Sequence, residues 1–366
     1  MGTSVNRGSL HQLLAGVAPG DAVSDQAFAI RRWLRSQGLR SELYAESIHP
    51  ALKDEVQHHT RLTGATAAGR LIYHYSIGSE TIDRVQCLGA RLLLVYHNVT
   101  PPEFVAGVDP RLAAQLAQGR ERLGELAPFT DLAVGDSAYN ETELLAAGYG
   151  PTGVLPIVLD DSALAVPPST EVAARLADGR VNLLTVGRLA PHKCQDDAIK
   201  VLYYCRAGGL DARLHLIGSD WLGAYRQWLG DLAESLGVSE HVVFAGHVSQ
   251  SELNAYYQGC QVYLTLSEHE GFCKPLIESM HYGLPVIAHK TPAVAETLGP
   301  AGVLVTRKDC AAIAELVAVV SGDEDLRHRL VQTGLERAAQ YGYAPVMQRL
   351  REHMTGMNWL ARHSSA

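Results

Sequence analysis

No two of the six cysteines, at positions 87, 194, 205, 260, 273 and 310, stand in a Cys-x-x-Cys pair. Neither they nor the histidines show the paired spacing of a metal site. Scattered in this way, in a chain whose Met1 to Gly8 lacks an apolar signal core, they read as reduced cytosolic thiols. Long apolar runs are missing as well, so nothing reaches the length of a membrane span. The expectation is a soluble cytoplasmic protein, with peripheral contact at the inner face of the membrane left open. There is no excess of positive charge: 31 Lys and Arg face 39 Asp and Glu, a net charge of −8, which argues against general nucleic-acid binding. Gly-x-Gly-x-x-Gly is absent, which counts against a dinucleotide enzyme. No internal repeat and no low-complexity tract interrupts the chain.

What is present suggests two domains. The chain has 366 residues, of which 47% are apolar, enough for two cores sharing a cleft. Short apolar runs alternate with stretches of helical spacing. Strands are expected at 10–14, 41–45, 71–76, 91–96, 131–134 and 153–157, with helices at 22–36, 109–127 and 138–147. The segment containing His58-His59 reads as helix and loop, and 159–170, with its paired Asp and paired Pro, as a linker. A second series of strands is expected at 181–186, 212–217, 241–245, 262–266, 285–288 and 302–305, with late helices at 308–320, 323–339 and 343–353. Strand–helix alternation implies α/β domains with parallel sheets and right-handed crossovers. Ser249 and Glu252 have capping-box spacing.

The chain is organised around the stretch Ser267 to Met280. Val262-Tyr263-Leu264-Thr265-Leu266 reads as a buried strand, and a helix should start at Lys274 or Pro275, since proline suits the first helical position. Parallel sheets bind ligands outside the carboxyl ends of their strands. There the N–H groups of Gly271, Phe272, Cys273 and Lys274 can face an anion, helped by the helix dipole. Glu270 and Glu278 flank that position. A carboxylate repels an anion, so these two suit hydroxyl groups on either side of it. Phosphates with hydroxyls on both sides describe a sugar nucleotide. Earlier in the same half, Gly187-Arg188-Leu189-Ala190-Pro191-His192-Lys193 follows a strand. Arg188 can bind a diphosphate as a fork and Lys193 as a point charge.

Glu270 and Glu278, with seven residues between them and Gly283-Leu284-Pro285-Val286-Ile287-Ala288 behind them, resemble the motif of the retaining GT-B-fold glycosyltransferases of family 4. The stretch departs from that pattern at Cys273-Lys274, where many members carry a small and then an aliphatic residue. The resemblance implies two Rossmann-like doubly wound domains facing a cleft. The N-terminal, acceptor-side domain would take residues 1–165 and 343–366, the terminal helix crossing back to it, and the nucleotide-sugar domain 166–342. It further implies that Arg188 and Lys193 hold the diphosphate, Glu278 the ribose hydroxyls and Glu270 the donor sugar. His97, at the end of the 91–96 strand, would touch that sugar. The loop carrying Gly20 and Asp21 would approach the phosphates and the acceptor, although the family's glycine pair is missing there. Backbone around His247 and Val248 would receive the base.

The function so implied is retaining transfer of a sugar from a UDP- or GDP-linked donor to a hydroxyl of a glycan, a lipid-linked intermediate or a small molecule. No metal is expected to be required, because the one acidic Asp-x-Asp, Asp323-Glu324-Asp325, reads as a helix start. Two other readings share the architecture: a sugar-nucleotide epimerase, and a catalytically silent sugar-nucleotide-binding partner. Arg31, Arg32, Arg35 and Arg40 read as a solvated face, with an anionic membrane or phosphate-bearing acceptor as the sharper alternative.

Overall fold

The computed structural model describes residues 8–220 and 222–360. Most of the amino-terminal octapeptide discussed above lies outside them. The chain divides into two compact units, one formed by residues up to Pro102, 113–160 and from Gly342 onward, the other by 103–112 and 161–341.

The first unit holds strands β1 (His11–Val17), β2 (Leu43–Ile48), β3 (Val56–His58), β4 (Arg70–Tyr75), β5 (Arg91–Tyr96), β6 (Thr130–Gly135) and β7 (Thr152–Val154). They form one sheet in the order β3-β2-β1-β4-β5-β6-β7, and every paired strand is parallel. Sheets of this kind are covered on both faces, so their strands are continuous apolar runs. Leu92, Leu93, Leu94 and Val95 of β5 are accordingly all fully buried. The helix Ala22–Ser36 starts where expected, because Asp21 caps it by accepting from the Ser24 N–H at 3.0 Å. The terminal helix Tyr343–Gly356 places Val346, Met347, Leu350 and Met354 in one core with Ile30, Trp33, Leu34 and Ile72.

The strand expected at 41–45 lies at Leu43–Ile48, the helix expected over 109–127 ends at Glu121 with a 3-10 stretch Leu123–Phe129 behind it, and the expected linker 159–170 holds a short helix Asp161–Leu164. Three further differences have a visible cause. β1 runs on through Gly16 and Val17, which pair with Ser47 and Ile48 after the apolar run has ended. β3 was expected to be helix or loop. It is an edge strand of three residues with only Val56 buried, too short for a period to show. β7 stops at Val154 because Gln26 takes over the backbone beyond it. The Gln26 carboxamide donates to the Pro156 carbonyl at 3.1 Å and accepts from the Val158 N–H at 2.8 Å.

The second unit holds β8 (Val181–Val186), β9 (Ala212–Ile217), β10 (Val242–Gly246), β11 (Val262–Thr265), β12 (Val286–His289) and β13 (Val303–Val305). Its sheet runs β10-β9-β8-β11-β12-β13, again parallel throughout. Ser249 and Glu252 form the expected capping box on the helix Gln250–Gly259. Asp323 caps the helix Glu324–Ala339 by accepting from the Leu326 N–H at 2.9 Å, so the acidic triplet is a helix start. Where β8 and β9 end, a Cβ on Gly218 would lie 2.0 Å from the Gly187 carbonyl oxygen. Gly187 and Gly218 have φ of +148° and +144°. Only glycine allows this approach, and it sets the path of the loop that carries Arg188.

Candidate active site

The order of the second sheet brings the carboxyl ends of β8 and β11 side by side. The loop after β8 carries Arg188 and Lys193, and the loop after β11 carries Glu270 to Lys274. A backbone bond joins the two loops, from the Glu268 N–H to the His192 carbonyl at 2.8 Å. Across this junction the Lys193 ammonium donates to both carboxylate oxygens of Glu270, at 2.7 and 2.8 Å. Glu270 is 8% exposed, so the ion pair sits in a dry environment on one side and meets solvent on the lysine side. Arg188 is exposed, and its backbone carbonyl accepts from the Gln195 carboxamide at 3.0 Å.

The helix Lys274–His281 begins as the sequence implies, with Pro275 in its first turn. Cys273 precedes it in the left-handed region, φ +72°, which turns the chain sharply from the loop into the helix. Burial, with Glu270 next in effect, pushes the Cys273 thiol up, which favours its protonated form. The Phe272 carbonyl accepts from the Thr297 hydroxyl at 2.8 Å. Glu278, one turn on, is 9% exposed. It accepts from the Tyr257 hydroxyl at 2.7 Å and pairs with Lys274 at 3.1 Å. Tyr257 itself stacks on Tyr282, with ring centroids 5.6 Å apart.

Each motif glutamate is therefore bound to a lysine. The Lys274 side chain, read from sequence only as a source of a backbone N–H, holds Glu278; its i, i+4 spacing was a visible signal. Tyr257 had no such signal. Three rings also gather at the junction: Phe104 lies 5.8 Å from His192 and 5.9 Å from His269, which precede Lys193 and Glu270 in the chain. Burial, and then the charges of Lys193, His269 and Arg188, hold His192 well below its ordinary value, so that ring is neutral.

His247 and Val248 follow β10 at the edge of the sheet, with His247 exposed. They share the carboxyl side of the sheet with the two loops, two strands removed from β8. One group among the described residues, Cys194, Asp196 and Asp197, has the spacing of a metal site. The Lys308 ammonium already lies 2.9 Å from Asp197 and 3.3 Å from the Cys194 sulfur. Burial pushes that thiol up to about 11, against the pull of Lys308, so it is a poor metal ligand at neutral pH.

The remaining candidates belong to the first unit. Gly20 is exposed in the turn before the helix Ala22–Ser36 with φ +71°, and the Asp21 carboxylate is engaged in capping by both the Ser24 N–H and its hydroxyl, 2.9 Å away. The His97 side chain is 1% exposed. One ring nitrogen meets His74 at 2.9 Å and the other meets Asp136 at 3.0 Å, so the ring is not open to a sugar, and what His97 presents outward is its main chain. Arg31, Arg32 and Arg35 pair with Glu55, Asp160 and Glu42, as a solvated face would. Among the described residues no helix is long and apolar enough to cross a membrane.

Residues 170–337 match the family model "Glycosyl transferases group 1". This chain is 28% identical over 225 residues to a GDP-mannose-dependent alpha-(1-6)-phosphatidylinositol monomannoside mannosyltransferase of Mycolicibacterium smegmatis, covering 57% of this chain and 58% of that one. The enzyme of the same description from Mycobacterium tuberculosis is 26% identical over 259 residues, covering 66% of each. The match thus spans roughly three-fifths to two-thirds of these relatives' length. Among solved structures, Anabaena HepE in complex with UDP and glucose superposes with a TM-score of 0.77 at 16% identity, covering 95% of this chain and all of that one. The fold is the GT-B kind, with two Rossmann-like parallel-sheet domains.

Proposed function

We propose that the protein is a retaining glycosyltransferase of family 4, which moves a hexosyl group from a nucleotide-diphosphate sugar to a hydroxyl of a glycan, lipid-linked or small-molecule acceptor. The observation that carries the reading is the pair of nearly buried carboxylates, Glu270 and Glu278, one on each side of a helix start and each tied to a lysine. In this reading the diphosphate lies at the start of the helix Lys274–His281, where backbone N–H groups and the dipole favour an anion. Arg188 and Lys193 then stabilise the charge that grows on the leaving diphosphate. Lys193 is shared between that diphosphate and Glu270, which fixes it in place before the donor arrives. Glu278, anchored by Tyr257, accepts hydrogen bonds from the ribose hydroxyls. Glu270 does the same for the transferred sugar.

The names of the curated relatives support a GDP-linked mannose as the first donor to test, and the HepE complex supports a UDP-linked glucose as the second. The reaction is proposed to need no divalent metal, since the side chains named already supply positive charge. The experiment incubates the protein with GDP-mannose or UDP-glucose, with and without alcohol acceptors, and follows nucleotide release and the anomeric configuration of the product by NMR. Release of the nucleoside diphosphate with the α-configuration kept supports the reading. Isomerised donor without release would instead show an epimerase, and an unchanged donor with tight binding would show a silent sugar-nucleotide-binding protein.

A further inference from the structure

Four side chains from neighbouring strands of the first sheet meet end to end. Gln12 of β1 donates from its amide nitrogen to the Ala27 carbonyl at 3.0 Å. Its amide oxygen lies 2.9 Å from His74 Nε2, on β4. His74 Nδ1 lies 2.9 Å from His97 Nε2, and His97 Nδ1 lies 3.0 Å from Asp136 Oδ2. Gln12, His74 and Asp136 are 0%, 0% and 3% exposed, and the His97 ring is 1% exposed. Solvent supplies none of these links.

The direction of the chain is set at its far end. A backbone carbonyl only accepts, so Gln12 must turn its amide nitrogen to Ala27 and its oxygen to His74. That oxygen also only accepts, so His74 Nε2 carries a proton. Two links remain, and each needs one proton: the link between His74 Nδ1 and His97 Nε2, and the link between His97 Nδ1 and Asp136 Oδ2. The three titratable groups therefore hold three protons. Two neutral imidazoles and a carboxylate would hold two. The alternative, turning Gln12 over, would set its oxygen 3.0 Å from the Ala27 carbonyl oxygen, two acceptors facing each other out of water.

We infer that Gln12, His74, His97 and Asp136 form a buried chain that keeps one proton more than its separate groups would, with no net charge, and that Asp136 and His74 are positioning residues for His97. The extra proton sits on the Asp136 side. Burial holds His74 well below its ordinary value, with His97 adding to the effect. Burial raises Asp136, against the attraction of His97. For both His74 and Asp136 the causes are burial and then His97, with no charge from another element among them. Asp136 Oδ1 is buried with no hydrogen-bond partner, which disfavours a bare carboxylate and favours a bound proton. The ring of His97 is thereby locked, so that its main chain is held at the end of β5. The buried chain rests on the glycosyltransferase reading only for that consequence, because the proton count itself does not involve a ligand.

The count fixes a pH dependence. Above about pH 6.5 the unfolded histidines are neutral and the unfolded aspartate is ionised, so the unfolded groups hold two protons and the folded chain three. Stability from this chain is then lost as pH rises. Below about pH 6.5 the unfolded histidines take up protons and hold four with the aspartate still ionised, so stability is lost again as pH falls. Asp136→Asn keeps the geometry, because its amide N–H can donate to a bare His97 Nδ1, but removes the extra proton. The unfolding constant of the natural protein, divided by that of D136N, should therefore rise about tenfold per pH unit between about pH 5 and 8. A ratio that stays flat with pH would overturn the inference. A measurement on the natural protein needs no variant to fold. With ¹⁵N-labelled histidine, His74 should show a proton on Nε2 alone. His97 should show a proton on Nε2 and a strongly downfield proton on the line to Asp136. A bare His97 Nε2 would equally overturn it. Neither readout uses a sugar donor, so failure of the transfer assay and failure of the proton count are separate results.

Discussion

Lys193 Nζ lies 2.7 and 2.8 Å from the two carboxylate oxygens of Glu270, joining loops that follow β8 and β11. The ammonium is held before any donor is present, so its side-chain entropy is already spent when a diphosphate binds. Lys193→Ala should act twice. It leaves Glu270 nearly buried and unpaired, a loss of roughly 1–3 kcal/mol after allowing for the exposed lysine side. It should also slow transfer about tenfold to a hundredfold, the worth of a hydrogen bond to a charged group. Denaturant unfolding and steady-state rates check these two effects. An unchanged rate at both low and saturating donor would remove Lys193 from the leaving-group site.

Tyr257→Phe tests the anchoring of Glu278. The hydroxyl removed donates to the carboxylate at 2.7 Å between two buried side chains, so the variant should lose about 1–3 kcal/mol of stability. Binding of a free nucleoside diphosphate should weaken by up to tenfold, because Glu278 gains freedom to turn. Tyr257 reaches no ligand in this account. A fall in turnover at saturating donor with unaltered nucleotide affinity would show that its role has been misassigned.

Gly218→Ala addresses the path of the Arg188 loop. The added Cβ would lie 2.0 Å from the Gly187 oxygen, at φ +144°. Strain and displacement together should cost about 3 kcal/mol or more. The chemical-denaturation midpoint should fall, and donor affinity should fall with it, because Arg188 follows Gly187 directly. A variant as stable as the natural protein would mean that the two loops separate freely.

Metal removal gives a fourth expectation. Activity should survive excess EDTA, since Lys308 already lies within the Cys194–Asp197 group and the leaving group has its own cations. Loss of activity in EDTA that magnesium or manganese restores would contradict the leaving-group assignment.

The sequence made some of this legible and hid the rest for physical reasons. β5, β8 and β9 match the expected spans because strands buried on both faces are unbroken apolar runs. The start of the helix Lys274–His281 was legible through Pro275. β3 was not, since three edge residues with one buried side chain carry no period. The end of β7 depends on Gln26, more than a hundred residues away in the chain. At the site, the positions of Glu270 and Glu278 could be read, but their pairings could not. Lys193 and Glu270 are 77 residues apart. Tyr257 precedes Glu278 by 21. The burial of the His97 ring follows from His74 and Asp136, which only the order of the sheet brings to it.

The account rests on a division of labour between two glutamates, and calorimetry tests it most directly. The natural protein, Glu270→Ala and Glu278→Ala are each titrated with GDP, UDP and the corresponding sugar nucleotides. At 100 times its dissociation constant the preferred donor should add about 2.7 kcal/mol to the stability of the natural protein. Glu278→Ala should weaken the free nucleoside diphosphate and the intact donor alike, by about tenfold or more. Glu270→Ala should leave the free nucleoside diphosphate bound as before and weaken only the sugar-bearing donor. Equal losses of free-nucleotide affinity in both variants, or no nucleotide binding by the natural protein, would contradict the account.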